Sequence, residues 1–192
     1  MTEMSGESHL KNPPITLIEP CAALLGGYAD ALRKGWSPNT MVDVSADELA
    51  AVEADGAAFL TDLTAQGGMI KHADGSETER LPSRLFWISD GEFCGSIGLR
   101  FERGSEELPP FVPGHIGYAV VPWKRRRGYA TAALGLILPV ARAEGLERVT
   151  VSCDADNIAS EKVITANGGV LIEEILRDAE TGKAKLVFRI ET

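Results

Sequence analysis

Ile116-Gly117-Tyr118-Ala119-Val120-Val121-Pro122-Trp123-Lys124-Arg125-Arg126-Arg127-Gly128-Tyr129-Ala130 is the stretch whose reading decides the fold. Its first half, with His115 ahead of it, is almost uniformly apolar, the pattern of a strand buried on both faces. Pro122 lacks an N–H and ends the pairing. Four cations, Lys124 to Arg127, and a glycine then share a short turn, and a helix-period segment opens behind them. A helix N-terminus offers unpaired N–H groups and a partial positive charge, and Gly128 lets a ligand approach without meeting a Cβ. Strand, basic turn and helix together read as a cradle for the pyrophosphate of a nucleotide-containing cofactor.

Downstream, Leu134, Ile137, Leu138 and Ala141 form one helical stripe, Pro139 predicts a kink, and Gly145 with Leu146 behind it predicts a Schellman stop. Val149 to Cys153 alternates as the next strand. A strand, helix and strand of these lengths predict a right-handed crossover, with 115–121 and 148–153 as parallel neighbours. Asn157 caps a short helix to about Ala166, and Val170 to Ile175 pairs with Lys183 to Ile190 across a turn at 178–182. Upstream, Ile15 to Glu19 reads as a strand and Ala22 to Lys34 as a helix weakened by Gly26 and Gly27. Ser45-Ala46-Asp47-Glu48 is a capping box that opens a helix to about Gln66, stopped by Gly67. Residues 69–81 form a loop or hairpin, and Asp90-Gly91 joins the strands 84–89 and 92–101. Gly95 and Gly98 inside the second of these predict a bulge or a close approach. Gly104 to Gly114, with three prolines, is a loop over the cleft. The fold class is α/β, a mixed twisted sheet of about six to seven strands with helices on both faces.

A length of 192 residues suits one domain, 15–192, behind a flexible N-terminus at 1–14. Net charge is −9 and pI about 4.9, which argues against a nucleic-acid partner and favours a cationic or amine-bearing one. The first dozen residues contain no apolar core of a secretory signal, and the longest apolar stretch, Ala130 to Ala141, is too short to span a bilayer, so the expectation is a cytoplasmic protein with no membrane partner. Cys21, Cys94 and Cys153 lack metal or redox spacing, so no metal is expected. A homodimer is left open.

Arg125-Arg126-Arg127-Gly128-Tyr129-Ala130 fits the pattern Gln/Arg-x-x-Gly-x-Gly/Ala. With Gly-His-Ile-Gly-Tyr at 114–118, Arg-Gly-Tyr-Ala-Thr at 127–131, Asp-Asn-Ile-Ala-Ser at 156–160 and Asn-Gly-Gly at 167–169, the chain resembles the GNAT superfamily of acetyl-CoA-dependent N-acetyltransferases, in a bacterial subgroup of predicted acetyltransferases. The resemblance implies an acceptor side at 15–113 and an acetyl-CoA half at 114–192. It implies acetyl-CoA held by the backbone of Ala119, Val120 and Val121, by Arg125 to Arg127, Gly128, Tyr129, Ala130 and Thr131, and by Asn157 and Ser160 along the pantetheine arm. Asn157 reads equally as a helix cap. The Val121 N–H is expected on the thioester oxygen, as an oxyanion-type contact. Glu102, His115 and Asp154 are alternative bases. Relatives carry a tyrosine as general acid where Ile164 stands here, and no tyrosine follows Tyr129. Relatives also tend to carry Arg-His at the start of the 104–114 loop, where this chain has Arg100-Phe101-Glu102, so the acceptor does not transfer. Tyr28, Trp36 and Phe59 read either as core or as a substrate wall. The implied activity moves an acetyl group to a primary amine of a small molecule or peptide by direct attack in a ternary complex; the alternative is a non-catalytic acetyl-CoA-binding sensor or interaction module.

Overall fold

The computed structural model describes residues 15–71, 77–110, 112–176 and 182–192. The 1–14 segment, and all of the 178–182 turn except Gly182, lie outside the described residues. In chain order the elements are β1 (Thr16–Ile18), α1 (Ala22–Arg33), α2 (Ser45–Ala54), α3 (Gly56–Thr64), β2 (Met69–Lys71), β3 (Glu77–Glu79), β4 (Ser83–Ser89) and β5 (Phe93–Arg100). There follow β6 (Ile116–Val120), a 3-10 turn (Pro122–Lys124), α4 (Tyr129–Ala143), β7 (Arg148–Asp154), α5 (Ile158–Ala166), β8 (Val170–Ile175) and β9 (Lys185–Glu191). The 69–81 segment is the β2–β3 hairpin at its described residues.

The seven longer-range strands divide into two antiparallel sheets, β1-β4-β5-β6 and β7-β9-β8. The expected neighbours 115–121 and 148–153 meet only at their starts. β6 and β7 begin side by side, where the His115 N–H donates to the Thr150 carbonyl at 2.8 Å and the Thr150 N–H donates to His115 Nδ1 at 3.0 Å. Beyond that point they share no ladder among the described residues, so each is an open sheet edge.

Period-two alternation along β5 and β6 feeds two cores, one on each face. Ile97, Leu99, Ile116 and Val120 meet Leu134, Ile137 and Ala141 of α4. On the other face Trp87, Phe93, Ala119 and Val121 meet Tyr28 and Leu32 of α1, with α2 and α3 packed outside. Each fully buried large apolar side chain contributes about 1.5–3 kcal/mol. Tyr28 stacks on Trp87 at 4.9 Å and meets Phe93 and Trp36 edge-on at 5.3 and 5.8 Å, so the second core is an aromatic cluster. Gly27 lies where this cluster touches α1: a Cβ there would stand 2.8 Å from the Phe93 Cβ, which explains a glycine that weakens the isolated helix. Gly95, at φ +146°, brings β5 so close to β6 that a Cβ would strike the Ala119 carbonyl and lie 2.8 Å from the Val120 Cα.

The single helix expected over 45–66 is two. Asp55 adopts an extended conformation and accepts from the N–H groups of Ala57 and Ala58 at 3.0 Å each, capping α3 and ending α2. The capping box does not form: Val44 is the N-cap, Asp43 accepts from the Ser45 N–H at 2.9 Å, and Glu48 instead takes the hydroxyl of Tyr28. α4 remains helical through Pro139, and its end is the expected Schellman stop, with Gly145 at φ +92° and the Leu146 N–H on the Ala141 carbonyl at 3.1 Å.

Candidate active site

The split between β6 and β7 opens into a cleft of about 1150 Å³. It runs from the α1–α2 loop, through the split, to the basic turn and α5. Along β6 the hydrogen bonds decide which backbone groups face it. The Val121 N–H donates to the Cys94 carbonyl at 3.0 Å and the Arg100 N–H to the His115 carbonyl at 2.8 Å. In an antiparallel ladder bonded pairs alternate, so Val121, Ala119 and Gly117 are turned to β5, and Tyr118 and Val120 present N–H and C=O to the split. This corrects the Val121 assignment: its amide is engaged within the sheet, and the amides open to a bound chain are those of Tyr118 and Val120.

The turn is built from two left-handed residues, Arg126 at φ +61° and Gly128 at φ +77°. Gly128 is the N-cap of α4 and supplies no side-chain acceptor; the first helical bond is from the Ala132 N–H to the Gly128 carbonyl at 3.0 Å. The N–H groups of Tyr129, Ala130 and Thr131 therefore have no helical acceptor, the chemistry that suits a helix N-terminus to an anion. Arg125 folds back, its Nε donating to the Val120 carbonyl at 3.0 Å. Arg126 and Arg127 are exposed at the turn.

Lys124 does not belong with them. It is buried, and its ammonium is held by Asp90 at 2.8 Å and Glu92 at 2.9 Å, while the Tyr129 hydroxyl donates to Asp90 at 2.6 Å. The expected run of four cations is thus three, with Lys124 clamping the β4–β5 turn to the start of α4. Hydrogen bonds to Asp90 and then to Glu92 raise the Lys124 pKa. Burial opposes the ionisation of Asp90, but the bonds from Lys124 and Tyr129 outweigh it and hold the carboxyl well below the usual range.

On the far wall Asn157 caps α5, accepting from the Ser160 N–H at 3.1 Å. Ser160 Oγ lies 2.7 Å from the Tyr118 hydroxyl, which bridges β6 to α5 across the split, with Cys153 also lining it. Burial pushes the Tyr118 pKa up to about 12, against the lowering effect of the Ser160 bond. Ile164, where relatives carry the tyrosine, is sealed in the core. The split therefore has a phenol after all, arriving from the strand. Sequence reasoning missed it by looking only downstream, although alternation puts Tyr118 two residues before Val120 on the same side of β6.

The base candidates separate. Glu102 is exposed, bridges to Ser105 and lies outside the cleft lining. His115 is 1% exposed; its Nδ1 accepts from the Thr150 amide, its Nε2 is enclosed, and burial lowers its pKa to about 4. It pins the two sheets together. Asp154 lines the cleft, in an ion pair with Lys183 at 2.9 Å. Tyr28 and Phe59 belong to the aromatic core, while Trp36 belongs to both core and cleft. Arg100, at the end of β5, also lines the cleft.

Two open strand edges flanking a cleft that ends on an uncapped helix N-terminus fit a pantetheine laid along β6 with its diphosphate on the turn, the arrangement of a coenzyme A-dependent acyltransferase. The sequence model of the acetyltransferase (GNAT) domain matches residues 51–170. The chain belongs to this family of acetyltransferases and is an acyltransferase with acetyl-CoA as co-substrate. No curated protein matches the sequence. Among solved structures the fold is similar to that of the Microcin C7 self-immunity acetyltransferase MccE, in complex with acetyl-CoA and AMP, at 13% identity and a TM-score of 0.62, covering 95% of this chain and 94% of that one. It is similar to Mycobacterium smegmatis RimJ, in complex with CoA-disulfide, at 19% identity and TM-score 0.63, covering 93% and 82%. It is also similar to the ribosomal-protein alpha-N-acetyltransferase RimL, in complex with coenzyme A, at 15% and 0.60, covering 92% and 93%. No helix among the described residues is long and apolar enough to cross a membrane.

Proposed function

We propose that this protein transfers the acetyl group of acetyl-CoA to a primary amine by direct attack, with both substrates bound. The observation that carries the reading is the β6–β7 split, whose open edge ends on the anion-ready turn. The Val120 backbone pairs with the pantetheine, and the Tyr129 to Thr131 amides, with Arg126 and Arg127, take the diphosphate. The Tyr118 N–H polarises the thioester oxygen. As the amine nitrogen bonds to the carbonyl carbon and the C–S bond breaks, the Tyr118 hydroxyl gives its proton to the departing sulfur, held towards it by Ser160. The acceptor nitrogen loses its proton to water, which leaves Glu102 and His115 without a catalytic role.

Calorimetry with acetyl-CoA and thiol release with a panel of amines test this. Binding with micromolar-range affinity and amine-dependent thiol release are expected, and absence of acetyl-CoA binding at high protein concentration overturns it. One observation favours a sensor instead: the sole carboxylate among the described cleft-lining residues, Asp154, is paired with a lysine. Binding without thiol release from any amine would select that reading.

A further inference from the structure

Arg100 ends β5 on the face of the sheet that carries α1, and it lines the cleft together with Trp36 and Thr40. Its guanidinium is turned inward over Gly117, where an added Cβ would lie 3.3 Å from Nη2. Among the described residues its side chain has no hydrogen-bond or ion-pair partner, in a chain with 28 acidic and 19 basic residues. Arg33, Arg84, Arg148 and Arg189 each hold a carboxylate at 3.3 Å or less. Burial lowers the Arg100 pKa, the mark of a charge partly desolvated and not compensated. The other described cations of the cleft lie elsewhere: Lys124 is clamped, Arg125 and Arg126 stand at the turn, and Lys183 and Lys185 stand beside Asp154 at the end of β7.

We propose that Arg100 binds a carboxylate carried by the acceptor, so that the acceptor is a small amino-carboxylate, an α- or β-amino acid. A planar guanidinium receives a carboxylate through two parallel hydrogen bonds, and a partly buried one without a partner gains most from doing so. Spacing selects the short members of the class. The guanidinium covers Gly117 and the acyl carbon meets the amide of Tyr118, so anion and amine stand about one to two residue spacings apart, roughly 3 to 7 Å. The inference rests on the acetyl-transfer reading above and narrows it.

The test is thiol release from acetyl-CoA with the common amino acids, their carboxamides and their decarboxylated amines, using the wild-type protein, Arg100→Gln and Arg100→Lys, with acetyl-CoA calorimetry alongside. At least one free acid should exceed its carboxamide by about tenfold or more in kcat/KM, the share of a charge-assisted pair. Arg100→Gln should erase that preference while acetyl-CoA affinity moves less than about twofold, and Arg100→Lys should keep part of it. Carboxamides or plain amines serving as well as acids in the wild-type protein overturn the proposal, as does a panel with no amino-acid acceptor while acetyl-CoA still binds. A loss of acetyl-CoA affinity in Arg100→Gln would move the arginine to the cofactor and overturn it too. Failure of the wild-type protein to bind acetyl-CoA is a different result, because it removes the acetyl-transfer reading itself.

Discussion

At the scale of single residues, Tyr118 and Gly128 carry separable expectations. Tyr118→Phe keeps the backbone amide and removes the proton donor, so kcat should fall about tenfold or more at pH 7 with KM for acetyl-CoA little changed. The deficit should shrink as pH passes the thiol pKa, about 8.5, because the thiolate then leaves unaided. Equal kcat for the two proteins across that range would show that the phenol only braces Ser160. Read as a helix start, position 128 tolerates valine at some tenths of a kcal/mol. Its φ of +77° changes this. A β-branched residue in the left-handed region costs about 1–2 kcal/mol or more, so Gly128→Val should lower Tm by roughly 2–8 °C. Losing two charge-assisted bonds to the diphosphate should weaken acetyl-CoA by more than about a hundredfold. Arg126→Ala removes one exposed, screened charge and should do far less. Calorimetry and a melting curve on the three proteins check the ordering.

Among the elements, the β4–β5 turn and the start of α4 are tied by Asp90, Lys124 and Tyr129. Asp90 has a depressed folded pKa, so its contribution is present above the unfolded value near 3.9 and is lost as pH falls towards the folded one. Lys124 has a raised one, so its contribution holds below about 10.4 and is lost as pH climbs past that. The Tm deficit of Asp90→Asn should therefore be flat from about pH 5 to 9 and narrow below about pH 4. Elements with their own punctuation were legible in the sequence: the Gly145 stop and the Asn157 cap form where their residue chemistry puts them, while the two-residue turn expected at Asp90-Gly91 takes in Glu92 as a third residue, with Ser89 facing Phe93. What escaped depended on partners distant in sequence. Glu48 left its capping box for the Tyr28 hydroxyl, twenty residues away. The direction of each β6 amide depends on the β5 register, and a shift of one residue exchanges Val121 for Tyr118 and Val120. Lys124 looks like Arg125 in a sequence and is told apart only by Asp90 beside it.

For the whole molecule, two sheets meet at the His115–Thr150 contact and diverge. A ligand that binds the folded chain alone stabilises it by mass action, so acetyl-CoA at a hundred times its Kd should add about 2.7 kcal/mol and raise Tm by about 5–10 °C. Amide exchange should slow at Tyr118 and Val120 and not at Val121, which is already bonded within the sheet. The aromatic cluster has an optical consequence. The three tryptophans report from three places: Trp87 is sealed at 0% exposure, Trp36 joins the cluster to the cleft, and Trp123 is 41% exposed with the Lys34 ammonium 4.6 Å from its ring. Fluorescence emission should thus report acceptor binding without a label through Trp36, the one tryptophan among the described cleft-lining residues, and Trp36→Phe should silence that signal.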